Sequence, residues 1–131
     1  MWFYNRSSNK NLAEKPIISD YNKTTVKATH KRLGAYYLYF QRTRATFYTD
    51  NITNTQKVSG KPNATPFVKD AFHDGIIRKK NVKSLRKSTS GTKFAPIYDL
   101  NIEGGKSKTI YLRLTNKELS NGFEDGFESI F

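Results

Sequence analysis

Lys69, Asp70, His73 and Asp74 crowd four ionisable side chains into six residues of the stretch P-F-V-K-D-A-F-H-D-G-I-I. On a helix, Asp70 and Asp74 would share a face at i,i+4, and so would Lys69 and His73. Two carboxyl groups about 5–9.5 Å apart are what acid/base hydrolysis of a glycosidic bond requires. Pro66 and Gly75 bound the stretch, however, and leave room for barely two helical turns. The same spacing also describes a wet loop with local ion pairs, and no catalytic residue is assigned here. Lys69, Asp70 and His73 are instead candidates for a carbohydrate contact or an interface. Asn51 and Asn54 join them from the polar run upstream. Their amides offer planar donors and acceptors to sugar hydroxyls, and can equally satisfy their own backbone through Asx-turns.

Other chemistries find little footing. The chain has no cysteine and only His30 and His73 as imidazoles, so no metal site and no cofactor is expected. His30 reads as a surface residue at a strand end. Gly104-Gly105-Lys106-Ser107 is too short for a phosphate-binding loop and sits between strand-like segments rather than before a helix. No serine has a base partner that the sequence identifies. Four N-x-Ser/Thr sequons, at Asn5, Asn22, Asn51 and Asn63, would matter only in a secretory lumen. No apolar run approaches the roughly 20 residues that span a bilayer, and no signal peptide opens the sequence. A cytoplasmic setting with no membrane partner is the expectation.

Charge is the strongest compositional signal. The formal net charge is +12 over 131 residues, and it is uneven. Residues 117–131 hold one lysine against four acids, a net of −3, which leaves about +15 on residues 1–116. Arg78, Lys79, Lys80, Lys83, Arg86, Lys87 and Lys93 follow one another without an intervening acid. This basic patch reads either as a phosphate-tracking surface or as a lysine-rich solvated loop. No aromatic residue is interleaved to stack on bases, so the loop reading is preferred and nucleic acid is not expected as a partner.

The elements that would position these residues are mostly strands. Residues 24–30, 33–41 and 45–49 are β-branched and aromatic, with 33–41 read as a central strand and 45–49 as its hairpin partner. Residues 5–22 read as a loop, 50–66 as turns, 71–77 as a helical turn leading into a short strand, and 78–93 as a basic loop. Residues 93–100 and 107–115 flank a Gly-Gly turn and read as a second hairpin. Leu119, Phe123, Phe127 and Phe131 recur every four residues and predict an amphipathic helix over 117–131. The expected fold is all-β, an antiparallel β-sandwich over residues 1–116 with one C-terminal helix over 117–131. Trp2-Phe3-Tyr4 at one end and the apolar stripe at the other make both ends read as cut.

Several stretches, taken in order, resemble the later part of the N-terminal β-sandwich of glycoside hydrolase family 63-like proteins, the group related to processing α-glucosidase I. Trp2-Phe3-Tyr4-Asn5 is similar to that family's W-F-R-N. Leu33-Gly34-Ala35-Tyr36-Tyr37-Leu38-Tyr39 is similar to L-G-x-Y-x-L-Y, and Phe47-Tyr48-Thr49-Asp50-Asn51-Ile52-Thr53-Asn54 to F-T-E-N-E-T-N. Gly60-Lys61-Pro62-Asn63 with Pro66-Phe67-Val68-Lys69-Asp70-Ala71-Phe72-His73 is similar to G-x-P-N-x-x-P-Y-V-K-D-x-F-H. Ser90-Gly91-Thr92-Lys93 and Leu112-Arg113-Leu114 complete the series. After Asn5 the family's T-W-S-W-G is replaced by Arg6-Ser7-Ser8-Asn9-Lys10.

The resemblance implies a supersandwich domain preceding an (α/α)6 barrel that carries the acid and base carboxylates. Residues 117–131 would then be the linker towards that barrel. Function is accordingly expected to be non-catalytic: a structural or carbohydrate-site-supporting portion of a family 63-like glucosidase. A small basic nucleic-acid-binding β domain and a free-standing carbohydrate-binding module are the alternatives. Expected partners are a catalytic-barrel polypeptide, carbohydrate, or a second copy engaged through Leu119, Phe123, Phe127 and Phe131.

Overall fold

Phe47 and Tyr48 are adjacent, so in a strand their rings point to opposite faces. That alternation organises the fold. The computed structural model describes residues 15–123. The elements run β1 Ile17–Asn22, β2 Thr25–His30, β3 Gly34–Phe40, β4 Ala45–Thr49, α1 Thr55–Ser59, α2 Ala71–Ile76, α3 Val82–Lys87, β5 Ser90–Gly91, β6 Lys93–Ile97 and β7 Leu112–Thr115.

Two antiparallel sheets result. One has five strands in the order β5-β1-β2-β3-β7, and the other pairs β4 with β6. Tyr48 enters the space between them and packs with Val26 and Phe40, supported by Ile18, Leu38 and Phe94. Phe47 points the other way, onto Ala71 and Leu85, with Phe67, Phe72 and Val82 around them. The molecule is thus a sandwich-like pair of sheets whose smaller sheet is backed by α2, α3 and the loop leading to them. The all-β antiparallel architecture expected from the sequence is the one observed.

Local pairings differ from expectation. The 33–41 and 45–49 segments do not form a hairpin: β3 pairs with β2 and β7, and β4 pairs with β6. Nor do 93–100 and 107–115, because β6 and β7 belong to different sheets. The intervening turn does form, with Lys106 N–H donating to Glu103 O at 3.0 Å and Gly105 at φ 72°. A turn reverses the chain without dictating a partner. Burial of Phe94 beside Tyr48, ring centroids 5.0 Å apart, draws β6 onto β4 instead.

Helix and strand also appear where loops were expected. Residues 17–22 form β1, closed onto β2 by a tight turn in which Asn22 Oδ1 accepts from Thr24 N–H at 2.9 Å. Residues 82–87 form α3 rather than a loop, and within 71–77 the chain is helical to Ile76 with no short strand after it. Residues 117–123 run as bends and a turn, not as the first turns of a helix. Phe127, Phe131 and Trp2-Phe3-Tyr4-Asn5 lie outside the described residues.

Gly91 marks where the chain passes between sheets. A Cβ there would lie 2.7 Å from Thr49 O, so only glycine permits this approach. Thr92 then donates its N–H to Thr49 O at 3.1 Å, and β6 begins one residue later.

Candidate functional site

The loop surface over residues 50–74 is built on the end of β4. Asp50 N–H donates to Phe67 O at 2.7 Å and Lys69 N–H to Ile52 O at 3.1 Å, which ties its two limbs together. Between them, Asn54 caps α1 by accepting from Lys57 N–H at 3.1 Å and also accepts from Asn63 Nδ2 at 3.0 Å. Asn63 Oδ1 in turn accepts from Thr55 Oγ1 and Gln56 N–H, at 3.1 and 3.2 Å. The two asparagines are an interlocked pair that holds the loop shut. Asn54, a candidate for a carbohydrate or interface contact, is only 8% exposed, and its side chain is engaged within the loop.

Asn51 is half-buried; its N–H donates to Thr92 Oγ1 at 2.7 Å and its carbonyl accepts from Lys15 Nζ at 3.1 Å. Lys69 reaches Thr53 Oγ1 at 3.4 Å. Asp70 pairs with Lys57 at 3.3 Å, and Asp74 with Arg78 at 3.2 Å. The two carboxylates that matched a hydrolytic spacing are therefore each engaged by a separate cation. His73 is exposed, with no side-chain partner among the described residues.

Sequence reasoning missed the neighbours of this cluster. Lys93 Nζ lies over the Phe72 ring at 4.9 Å from its centroid. Burial and the Lys69 charge hold its ammonium below its ordinary pKa, with Asp70 opposing them. Gln56, Gly60, Pro62, Asn63, Thr65 and Pro66 line an open depression of about 390 Å³. The residues lining it are neutral and include no carboxylate.

No family model, curated protein or solved structure matches this chain.

A second cluster lies on the outer face of the five-stranded sheet. A β-bulge between Asp20 and Asn22 makes Tyr21 the unpaired residue and sets its ring edge-on to Tyr37, centroids 5.3 Å apart. Tyr21 and Tyr37 both donate to the Glu118 carboxylate, the latter at 3.0 Å. Tyr39 OH accepts from Leu119 N–H at 2.6 Å and donates to Leu119 O at 3.1 Å. Gly122 lies flat on the Tyr39 ring, where any Cβ would overlap it, and its carbonyl accepts from Arg113 at 3.2 Å. Residues 118–122 are thereby clasped across the sheet. Nothing in the spacing of Leu119 and Phe123 pointed to this contact.

The basic residues are divided by the fold. Arg78, Lys79, Lys80, Lys83, Arg86 and Lys87 are exposed on α3 and its lead-in, while Lys93 belongs to the Phe72 cluster. Among the described residues no group of His, Cys, Asp and Glu could hold a metal, and no helix is long and apolar enough to cross a membrane.

Proposed function

We propose that this chain is a non-catalytic β-sandwich portion of a glycoside hydrolase family 63-like protein, its 50–74 surface supporting a carbohydrate site completed by another polypeptide. One observation carries this reading. Three of the stretches that bear the resemblance, 47–54, 60–73 and 90–93, meet at one place, while 33–39 and 112–114 lie in the five-stranded sheet. Asp50 is bonded to Phe67, Asn51 to Thr92, Ile52 to Lys69, and Asn54 to Asn63. Contact among three of the stretches supports a shared role for the surface they form. The neutral lining of the depression and the separate ion pairs of Asp70 and Asp74 fit ligand support rather than bond cleavage.

Titration of the isotope-labelled chain with neutral α-linked gluco-oligosaccharides tests this. Expected are amide shifts confined to Gln56, Asn63, Thr65, Lys69 and His73, unchanged between low and high salt, with no hydrolysis of the ligand. Shifts elsewhere, or none at high ligand concentration, would overturn the carbohydrate role. Turnover abolished by Asp70→Asn or Asp74→Asn would overturn the non-catalytic one.

A further inference from the structure

Arg78, Lys79, Lys80, Lys83, Arg86 and Lys87 place six cations in ten residues with no acid among them. Arg78 is paired with Asp74. The other five are exposed, and their side chains have no hydrogen bond or ion pair among the described residues. The segment that displays them is fastened. Leu85 is fully buried against Phe47 and Ala71, Leu85 N–H donates to Asn81 O at 3.0 Å, and Lys80 N–H donates to Asp74 O at 2.9 Å. Lys83, Arg86 and Lys87 stand at i, i+3 and i+4, away from Leu85.

Like charges fixed side by side repel one another, and an anion that lies along them removes that repulsion. The form of the patch selects among anions. Residues 78–93 contain no aromatic side chain, which weighs against nucleic acid when the run is read as a loop; with the cations held on α3 and its lead-in, phosphates are addressed without any stacking of bases. A six-residue helix whose one fully buried apolar side chain, Leu85, faces inwards has no apolar stripe to sink into a lipid interface. The charge of +12 on the whole chain extends the positive field beyond α3, which suits a long line of negative charge better than a compact acidic face.

We infer that the α3 face binds the phosphodiester backbone of nucleic acid without regard to sequence, through Lys79, Lys80, Lys83, Arg86 and Lys87. This stands independently of the carbohydrate reading, since it uses none of the 50–74 surface.

Fluorescence anisotropy of the full chain with a short labelled DNA duplex, over a series of salt concentrations, provides the test. Affinity is expected to fall steeply with salt. Combining Lys83→Gln, Arg86→Gln and Lys87→Gln should weaken binding at low salt and flatten the logarithmic salt slope by about 0.9 for each phosphate no longer neutralised. The same variant without DNA should melt no lower than the parent, which separates loss of a site from loss of fold. If it does melt lower, Lys79→Gln with Lys80→Gln must reproduce the flattened slope. A control neutralising Lys23, Arg32 and Lys106 makes an equal charge change outside α3 and should leave most of the affinity. Equal loss in the control, no binding at low salt, or binding only to phosphatidylserine vesicles or polyglutamate would each overturn the assignment.

Discussion

Thr49 carries a local cost that a single substitution can expose. Its hydroxyl is buried at the crossing between the sheets and has no hydrogen-bond partner among the described residues. An orphaned buried polar group destabilises by about 1–3 kcal/mol. Thr49→Val keeps the branched shape and removes the orphan, so the urea midpoint should rise with an unchanged slope. Glu118 offers a pH-dependent counterpart. The phenol of Tyr21 and then that of Tyr37 hold its carboxyl below the usual range, with desolvation opposing them and the Lys27 charge adding to them. The same bond to Glu118 is the main cause that pushes the Tyr21 phenol up to about 12. A carboxyl depressed by folding contributes in full above its unfolded value and loses that contribution as pH falls through the folded one. A phenol raised by folding contributes in full below its ordinary value of about 10. It loses that contribution as pH rises through about 12. The 118–122 clasp should therefore hold at neutral pH and open at both extremes. Tyrosine fluorescence against pH reads this directly, and Glu118→Gln should abolish the acid-side transition while leaving the sheet intact.

At the scale of elements, α3 depends on one side chain. Val82 and Leu85 are its only apolar residues, and Leu85 is the one fully buried. Leu85→Ala should lower stability by about 2–5 kcal/mol and release α3 from β4, seen as loss of amide protection over 82–87. The same sparseness explains why the helix was illegible in the sequence. Two apolar residues three apart in six give no period to count, so packing on Phe47 rather than propensity decides the conformation. Strands β2, β3 and β4 were legible because their β-branched and aromatic residues are dense. Their partners were not, since turns fix reversals and leave the choice of sheet to ring packing such as Phe94 on Tyr48. The candidate site divides in the same way. Lys69, Asp70 and His73 could be named from residue type, whereas Lys57 as the partner of Asp70 follows only from how the loop folds back. The Tyr21–Tyr37–Glu118 group needs a bulge and a register that no single segment specifies.

For the whole molecule the dominant quantity is the charge of +12. Three ion pairs are present among the described residues: Arg44–Asp99, Lys57–Asp70 and Arg78–Asp74. They leave most of the positive charge unbalanced. Net repulsion then opposes the folded state at low ionic strength, and it weakens as the screening length contracts from about 30 Å at 0.01 M salt to about 8 Å at 0.15 M. The melting temperature should rise across that range. A fall would mean that favourable pairs outweigh the repulsion.

The passage of a single stretch from β5 through Thr92 into β6 has a mechanical consequence. Ser90–Gly91 is hydrogen-bonded to β1 in the larger sheet, and Lys93–Ile97 to β4 in the smaller one. One residue separates them, so neither sheet can peel away without tugging on the other. Such a stitch merges what would otherwise be two separately opening units into one cooperative unit. Amides in β3 and in β4, which share no ladder, are expected to exchange with solvent deuterium at a common free energy of opening.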